Sequence, residues 1–208
     1  MARLNVNPTR MELKRLKVRL KTAVRGHKLL KDKSDEMIRV FSARLRQNKK
    51  LRRQVEEDVA LVFKNFALAG GVTPTEQLLL AFAMPSTSVN VDTGLSSVMG
   101  VEVPKLKVTV TKGKHEYPYS FNGISSEADY SIKAVNEIME KLLQLAEMEK
   151  STRMLAAEIE KNKRRVNALE YVMIPQLEET IKYISIKLDE NERSNVARMM
   201  KVKTLITQ

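Results

Sequence analysis

The chain has 208 residues, with 37 Lys and Arg against 25 Asp and Glu for a net charge of +12, and its only aromatic residues are five Phe and five Tyr. That length fits one or two domains, while so few aromatics and 30% charged side chains argue against a thick globular core, because aromatics supply much of a core's buried area. No Cys excludes a disulfide framework and thiolate metal sites. The longest uncharged run, Gln77 to Val91, is broken by Pro85 and is too short to span a bilayer. The opening Met1-Ala2-Arg3-Leu4-Asn5 lacks the apolar stretch of a signal peptide, so a cytoplasmic chain is expected.

Glycine and proline divide the sequence. From Thr9 to Ala69 the only one is Gly26, and from Ile124 to Gln208 the only one is Pro175, whereas ten fall between Gly70 and Gly123. Three segments are expected: a helical arm over 1–70, a connector over 71–130 that turns repeatedly, and a second helical arm over 131–208.

The first arm has two compatible starts. Asn7 can cap a helix with Pro8 at its first position, and Thr9 with Glu12 forms a capping box. Gly70-Gly71 is expected to close it in the left-handed conformation. Its ladder reads Leu13, Leu16, Leu20, Ala23, His27, Leu30, Ser34, Met37, Phe41, Leu45, Asn48, Leu51, Val55, Val59, Val62, Phe66, Ala69, a mean spacing of 3.5 residues.

In the connector, Thr75 to Met84 reads as a short helix ended by Pro85. Leu106 to Thr111 alternates apolar and polar as a strand does. Lys112-Gly113 can turn it, with Lys114 to Phe121 returning as an edge strand because of Pro118. Val98 to Val103 is expected to add a further short strand. A two-stranded hairpin is marginal alone and must lean on a helix or a partner.

The last arm begins near Ser126, with Asp129 three residues on. Its ladder reads Ile132, Val135, Ile138, Leu142, Leu145, Met148, Thr152, Leu155, Ile159, Asn162, Val166, Leu169, Met173, Leu177, Ile181, Ile184, Leu188, again with a mean spacing of 3.5. A 3.5-residue period sustained this long predicts a mainly α protein built on a left-handed coiled coil. Two equal arms joined by a turning segment predict an antiparallel pair, roughly 84 Å long at 1.5 Å per residue. In the register that matches Ala69 with Ile132 and Leu13 with Leu188, Phe41 lies near Ile159 and His27 near Met173. Asn48 then faces Thr152, a polar layer that would fix alignment. Gly26 and Pro175 break the helical pattern. Gly26 would let another backbone approach, and Pro175 is expected to bend the last arm.

The charge excess lies in the first arm: residues 1–70 carry 19 Lys and Arg against 7 acids. It is densest from Lys14 to Lys33, and its members go almost all the way round the helix. A solvated coiled-coil face, an acidic protein partner and nucleic-acid phosphates all fit such a pattern. Against nucleic acid stands the shortage of stacking aromatics, the nearest being Phe41. A scaffold coiled coil that self-associates is a further alternative.

Catalytic chemistry is sparse. His27 occupies a ladder position without a second His or Cys to share a metal, and His115 lies in the expected hairpin. Gly113-Lys114 has Val108 before it and His115 after, so it fails as a phosphate-binding loop. Glu56-Glu57 and Glu178-Glu179 sit in charged helical stretches and read as solvated surface. With no cofactor or metal site, the chain is expected not to be an enzyme on its own.

Asn7-Pro8-Thr9-Arg10-Met11-Glu12-Leu13, continuing through Arg25-Gly26-His27-Lys28-Leu29-Leu30-Lys31, resembles the opening of the D subunit of the V-type and archaeal-type rotary ATPases. The last arm resembles it as strongly in Glu158-Ile159-Glu160-Lys161, in Arg164 to Tyr171 and in Ile174 to Ile181, and the short C-terminal tail is similar to that of bacterial or archaeal members. The resemblance covers both arms, roughly two thirds of the chain.

The resemblance implies a central-stalk rotor shaft standing in the bore of a hexamer of A and B subunits, one copy per complex. It carries the small central-stalk F subunit and docks on a funnel-shaped protein above the membrane ring. ATP hydrolysis turns it to pump protons or sodium ions, or ion flow turns it to make ATP. It implies nucleotide sites in the hexamer, no cofactor here, no nucleic-acid partner, and peripheral rather than inserted membrane association. With the charge distribution, it leads us to expect that Arg10, Lys14, Arg15, Lys17, Arg19, Lys21, Arg25 and Lys28, with Arg193, Arg198, Lys201 and Lys203, face that bore.

Overall fold

A computed structural model describes residues 3–83, 85, 87–112, 117, 119 and 124–206. The elements are α1 (Arg10–Val72), α2 (Thr75–Phe82), β1 (Thr87–Val98), β2 (Val101–Lys112), α3 (Ser126–Ala168), a π-helical segment (Leu169–Met173) and α4 (Ile174–Ile206). They form two compact units, residues 1–36 with 159–208 and residues 37–158.

In the first unit α1 begins by the Thr9 signal. The Thr9 hydroxyl accepts the Glu12 N–H at 3.2 Å, while Glu12 pairs with Arg15 rather than returning to Thr9. Leu16 and Ala23 of α1 pack with Leu177 and Ile184 of α4, flanked by Leu13, Leu20, Ile174, Ile181 and Leu188. The N-terminal residues join this core: Leu4 packs on it and donates its N–H to Thr180 Oγ1 at 3.2 Å. The Arg3 guanidinium lies 4.5 Å over the Tyr183 ring.

In the second unit α1 pairs with α3. Ala69, Leu78 and Ala128 bring α1, α2 and α3 together over Ile124, and the Ser125 N–H donates to the buried Thr73 hydroxyl at 3.2 Å. Helix α1 runs through Gly70-Gly71 to Val72; positive φ among the described residues is confined to Met99 and Gly100. The glycine pair therefore stays helical, and Thr73 ends the helix instead.

Polar pairs fix the antiparallel register within each unit. Arg10–Glu192 and His27–Glu170 bridge the helices of the first, and Arg44–Ser151, Arg52–Glu149 and Asp58–Lys141 those of the second. The numbers of each pair sum to about 200, as a seam without slippage requires. The expected Asn48–Thr152 layer does not form a bond. The Thr152 hydroxyl donates to the Met148 carbonyl of its own helix at 2.7 Å, and Asn48 Oδ1 has no partner among the described residues. Ser131, Ser151 and Thr180 also bond carbonyls of their own helix, which lets a hydroxyl enter a seam cheaply.

The hairpin differs from the sequence expectation. Strand β2, which contains Leu106 to Thr111, pairs with β1, from Thr87↔Lys112 to Val98↔Val101. Met99 (φ 55°) and Gly100 (φ 81°) make the two-residue turn, the geometry that suits the twist of a hairpin. The turn falls inside Val98 to Val103, expected as a single strand. Of the expected return strand Lys114 to Phe121, only Tyr117 and Tyr119 are among the described residues.

Met173, expected in the seam, is 40% exposed, and Ile174 packs on the core in its place. The seam passes from Val166 through Leu169 to Ile174, one residue more than a heptad allows. The π turn absorbs that residue and rotates Met173 outward. His27 consequently meets Glu170 at 3.2 Å, not Met173. Leu177→Ala should cost about 2–5 kcal/mol in urea unfolding because its side chain is 1% exposed, whereas Met173→Ala should change stability by about 0.5 kcal/mol or less.

Candidate functional site

Charged and apolar side chains both stand exposed on the outside of the helices. Among the described residues no group of three or more His, Cys, Asp or Glu is placed to hold a metal, and no helix is long and apolar enough to cross a membrane. The expected basic residues of α1, Arg10, Lys14, Arg15, Lys17, Arg19, Lys21, Arg25 and Lys28, are all exposed. Arg10 bonds Glu192 and Arg15 bonds Glu12. Lys14, Lys17, Arg19, Lys21, Arg25 and Lys28 make no ion pair among the described residues. Six long cations without an ion pair among the described residues give this arm a positive field, which water and salt screen where no partner faces it.

Helix α4 outlasts its partner. Arg10, the first residue of α1, meets Glu192, so residues 193–206 of α4 have no helix facing them among the described residues. Arg193, Arg198, Lys201 and Lys203 are exposed there, as expected. So are Val196, Met199, Met200, Val202, Leu205 and Ile206, a set the charge argument missed. A helical signal was available, since these residues prolong the apolar pattern of α4 past Leu188. Lys187 and Glu190 pair at 2.9 Å, which raises the ammonium pKa and lowers that of the carboxyl through a shared hydrogen bond.

The second unit carries a separate surface. Helix α2 is apolar nearly all round, yet buries only Leu78 and Ala81. Leu79, Leu80 and Phe82 stay exposed, Leu80 at 80%, as do Leu61, Phe63, Phe66, Leu68 and Val72 of α1. Phe66, assigned to the seam by its spacing, instead stacks on Phe82 with ring centroids 5.8 Å apart. At helical spacing Leu61, Leu68 and Val72 share one face of α1, while Phe63 and Phe66 lie on the other. The hairpin is held to α3 by Glu147, whose carboxylate accepts the Leu106 N–H at 2.9 Å, and Val103 is buried. Tyr119 donates its hydroxyl to Asp129; burial first, then that bond, pushes its phenol pKa well above the ordinary value.

Of the expected ladder residues, Leu45, Phe66, Val135, Leu142 and Met173 are exposed. Leu16, Met37, Val55, Leu155, Val166, Leu177 and Ile184 are buried, and Leu13, Leu20, His27, Leu30, Phe41, Leu51, Ile159, Leu169, Ile181 and Leu188 are partly buried. Two long helices with a two-stranded antiparallel hairpin in the middle are the fold that the sequence reading expects. A family model for the ATP synthase D subunit matches residues 12–204. The chain belongs to this family. It is 51% identical to the V-type ATP synthase D subunit of Acetivibrio thermocellus, with 100% of this chain and 95% of that protein aligned. Identity to the D subunit of Clostridium novyi is also 51%, over 99% and 97% of the two chains. Against that of a Thermoanaerobacter species it is 48%, over 99% of each.

In this member of the family, a charge-assisted bond to Glu147 ties the hairpin to α3 beside the buried Val103. Glu147→Ala should speed amide exchange at Leu106 by about tenfold or more, since a hydrogen bond to a charged group contributes about 1.5–3 kcal/mol; residue-resolved hydrogen exchange reads it directly.

Proposed function

We propose that this chain is the non-catalytic central-stalk rotor shaft of a V/A-type rotary ATPase, carrying torque between the A/B hexamer and the ion-translocating ring. The observation that carries the reading is the fixed antiparallel register in both units, since torque passes through a helix pair only if neither helix slides on the other. Family membership supports the same reading. On it, the basic residues of α1 and the end of α4 face the hexamer bore, where Val196, Met199 and Leu205 add apolar contact. The exposed surface of α2 and the end of α1 docks on the funnel-shaped protein. The F subunit binds along the shaft, and the complex sits at the cytoplasmic face of the membrane.

Exposed ion contacts are worth about 0–1 kcal/mol each, so a ring of them gives a shallow profile as the shaft turns. Reversing Lys14, Lys17, Lys21 and Arg25 together to Glu should weaken hexamer assembly or uncouple ATP hydrolysis from ion transport, while each single reversal has little effect. Unchanged assembly and ATPase rate in the fourfold variant would contradict a bore-facing role. Deleting the hairpin, Thr87 to Lys112, should leave the helices folded by circular dichroism and alter ATPase rate or docking.

Affinity capture of the tagged chain from gently solubilised cells tests the whole reading. It should recover two large ATPase subunits and a small stalk protein. Recovering nucleic acid, or only copies of this chain, would replace the reading with the basic or self-associating coiled coil.

A further inference from the structure

Two features that weaken a helix lie at one level of the first unit, one on each side of the seam. On α1 it is Gly26, in the helix interior. A Cβ built there would meet nothing within 4 Å, and its φ is not positive, so neither packing within the chain nor backbone conformation calls for glycine. On the facing side it is the π segment Leu169–Met173 with Pro175 two residues beyond. The Ile174 N–H reaches back to the Leu169 carbonyl, and Pro175 has no N–H to give. His27 Nε2, next to Gly26, lies 3.2 Å from Glu170 Oε2 in the π segment, which sets the two features level.

The extra residue in the α4-side seam accounts for the π turn, but it places no demand on Gly26. The layers on either side are closed: Ala23 and Leu177 are buried below, and Ser34 and Asn162 above. Between them Val166 is still buried, but Leu30, Leu169 and Ile174 are only partly so and Tyr171, Val172 and Met173 are exposed, so apolar closure is weaker here and the His27–Glu170 contact adds to it.

We infer that the Gly26–Pro175 layer is a compliant joint built into the helix pair, where it bends and twists in preference to the closed layers on either side. Gly26 frees α1 from side-chain interlock, the π turn interrupts the regular i→i−4 ladder, and the His27–Glu170 contact realigns the pair when load is removed. This inference concerns the chain itself and stands whether or not the rotor reading does.

Residue-resolved hydrogen exchange on the full-length chain tests it. The amides of Gly26, His27, Met173, Ile174 and Gln176 should exchange at least about tenfold faster than those of Leu20, Val166, Ile181 and Ile184, because local opening is easiest where buried contacts are fewest. Uniform protection across these positions would overturn the joint. Two variants then assign its cause: G26A, and a chain lacking Met173 with P175A, which restores the seven-residue step from Val166 to the next seam residue. Both should slow exchange at the joint toward the flanking rate, with helix content checked by circular dichroism. If neither does, the softness does not come from these residues and the assignment falls. Should the shortened chain not fold, the wild type and G26A still decide.

Discussion

Everything in this structure depends on each helical arm serving as the other's dry surface. A highly charged helix carries one narrow apolar stripe and has no core of its own, so the stripe is buried only by a second helix at matching period. Burying one Leu or Val side chain contributes about 1.5–3 kcal/mol, whereas an exposed ion pair gives about 0–1 kcal/mol. The seam therefore holds the pair together, and contacts such as Arg52–Glu149 and Asp58–Lys141 choose among registers of similar apolar burial. The buried hydroxyls do not compete with this division of labour, because Ser151, Thr152 and Thr180 satisfy themselves on their own helices.

The same constraint explains the π segment. Inserting one residue into a seam leaves two choices: the stripe rotates off its partner over the remaining length of α4, or the extra residue is looped out locally. The first would uncover Leu177, Ile181, Ile184 and Leu188; the second turns out Met173, the ladder residue within the π segment's exposed stretch. Proline within an α-helix costs about 3 kcal/mol through a lost bond and a clash with the preceding turn. A π turn just before Pro175 redistributes those carbonyls, so the proline and the extra residue are accommodated in one place. Stiffness is thereby preserved above and below it.

How much of this was legible follows from how each signal is encoded. The arms, their pairing and their register rest on a long repeat in which single errors average out. The excess residue is hidden by that averaging, although Leu169, Met173, Leu177 and Ile181 stand in three consecutive four-residue steps where a heptad alternates three and four. Gly70-Gly71 looks like a helix end, but glycine permits the left-handed conformation without requiring it. Met99-Gly100 gives a weaker turn signal because Met seldom takes positive φ, and because Asn90, Asp92 and Gly94, which strands disfavour, interrupt the valines and threonines of β1. Its strand state is imposed by pairing with β2. The exposed apolar set on α2 carries only a partial signal, since a helix apolar all round reads equally well as buried.

On the rotor reading, the two kinds of surface belong to two kinds of partner. A partner that turns together with the chain can be held by large apolar contacts, since its grip need never be released, and Leu79, Leu80 and Val72 suit that role. A partner against which the chain turns must let go at every step, which favours many weak, equivalent charges round the helix, as in Lys14 to Lys28. The end of α4 mixes both chemistries without violating this logic. A single helix with its side chains is about 10–12 Å across, so an apolar contact on it lies close to the helix's own axis. Turning about that axis shears such a contact through a short arc, and a given adhesion there opposes rotation with less torque than it would farther out. Apolar residues are thus tolerable on a bare helix end, where on a broad rotating surface they would bind the shaft in place.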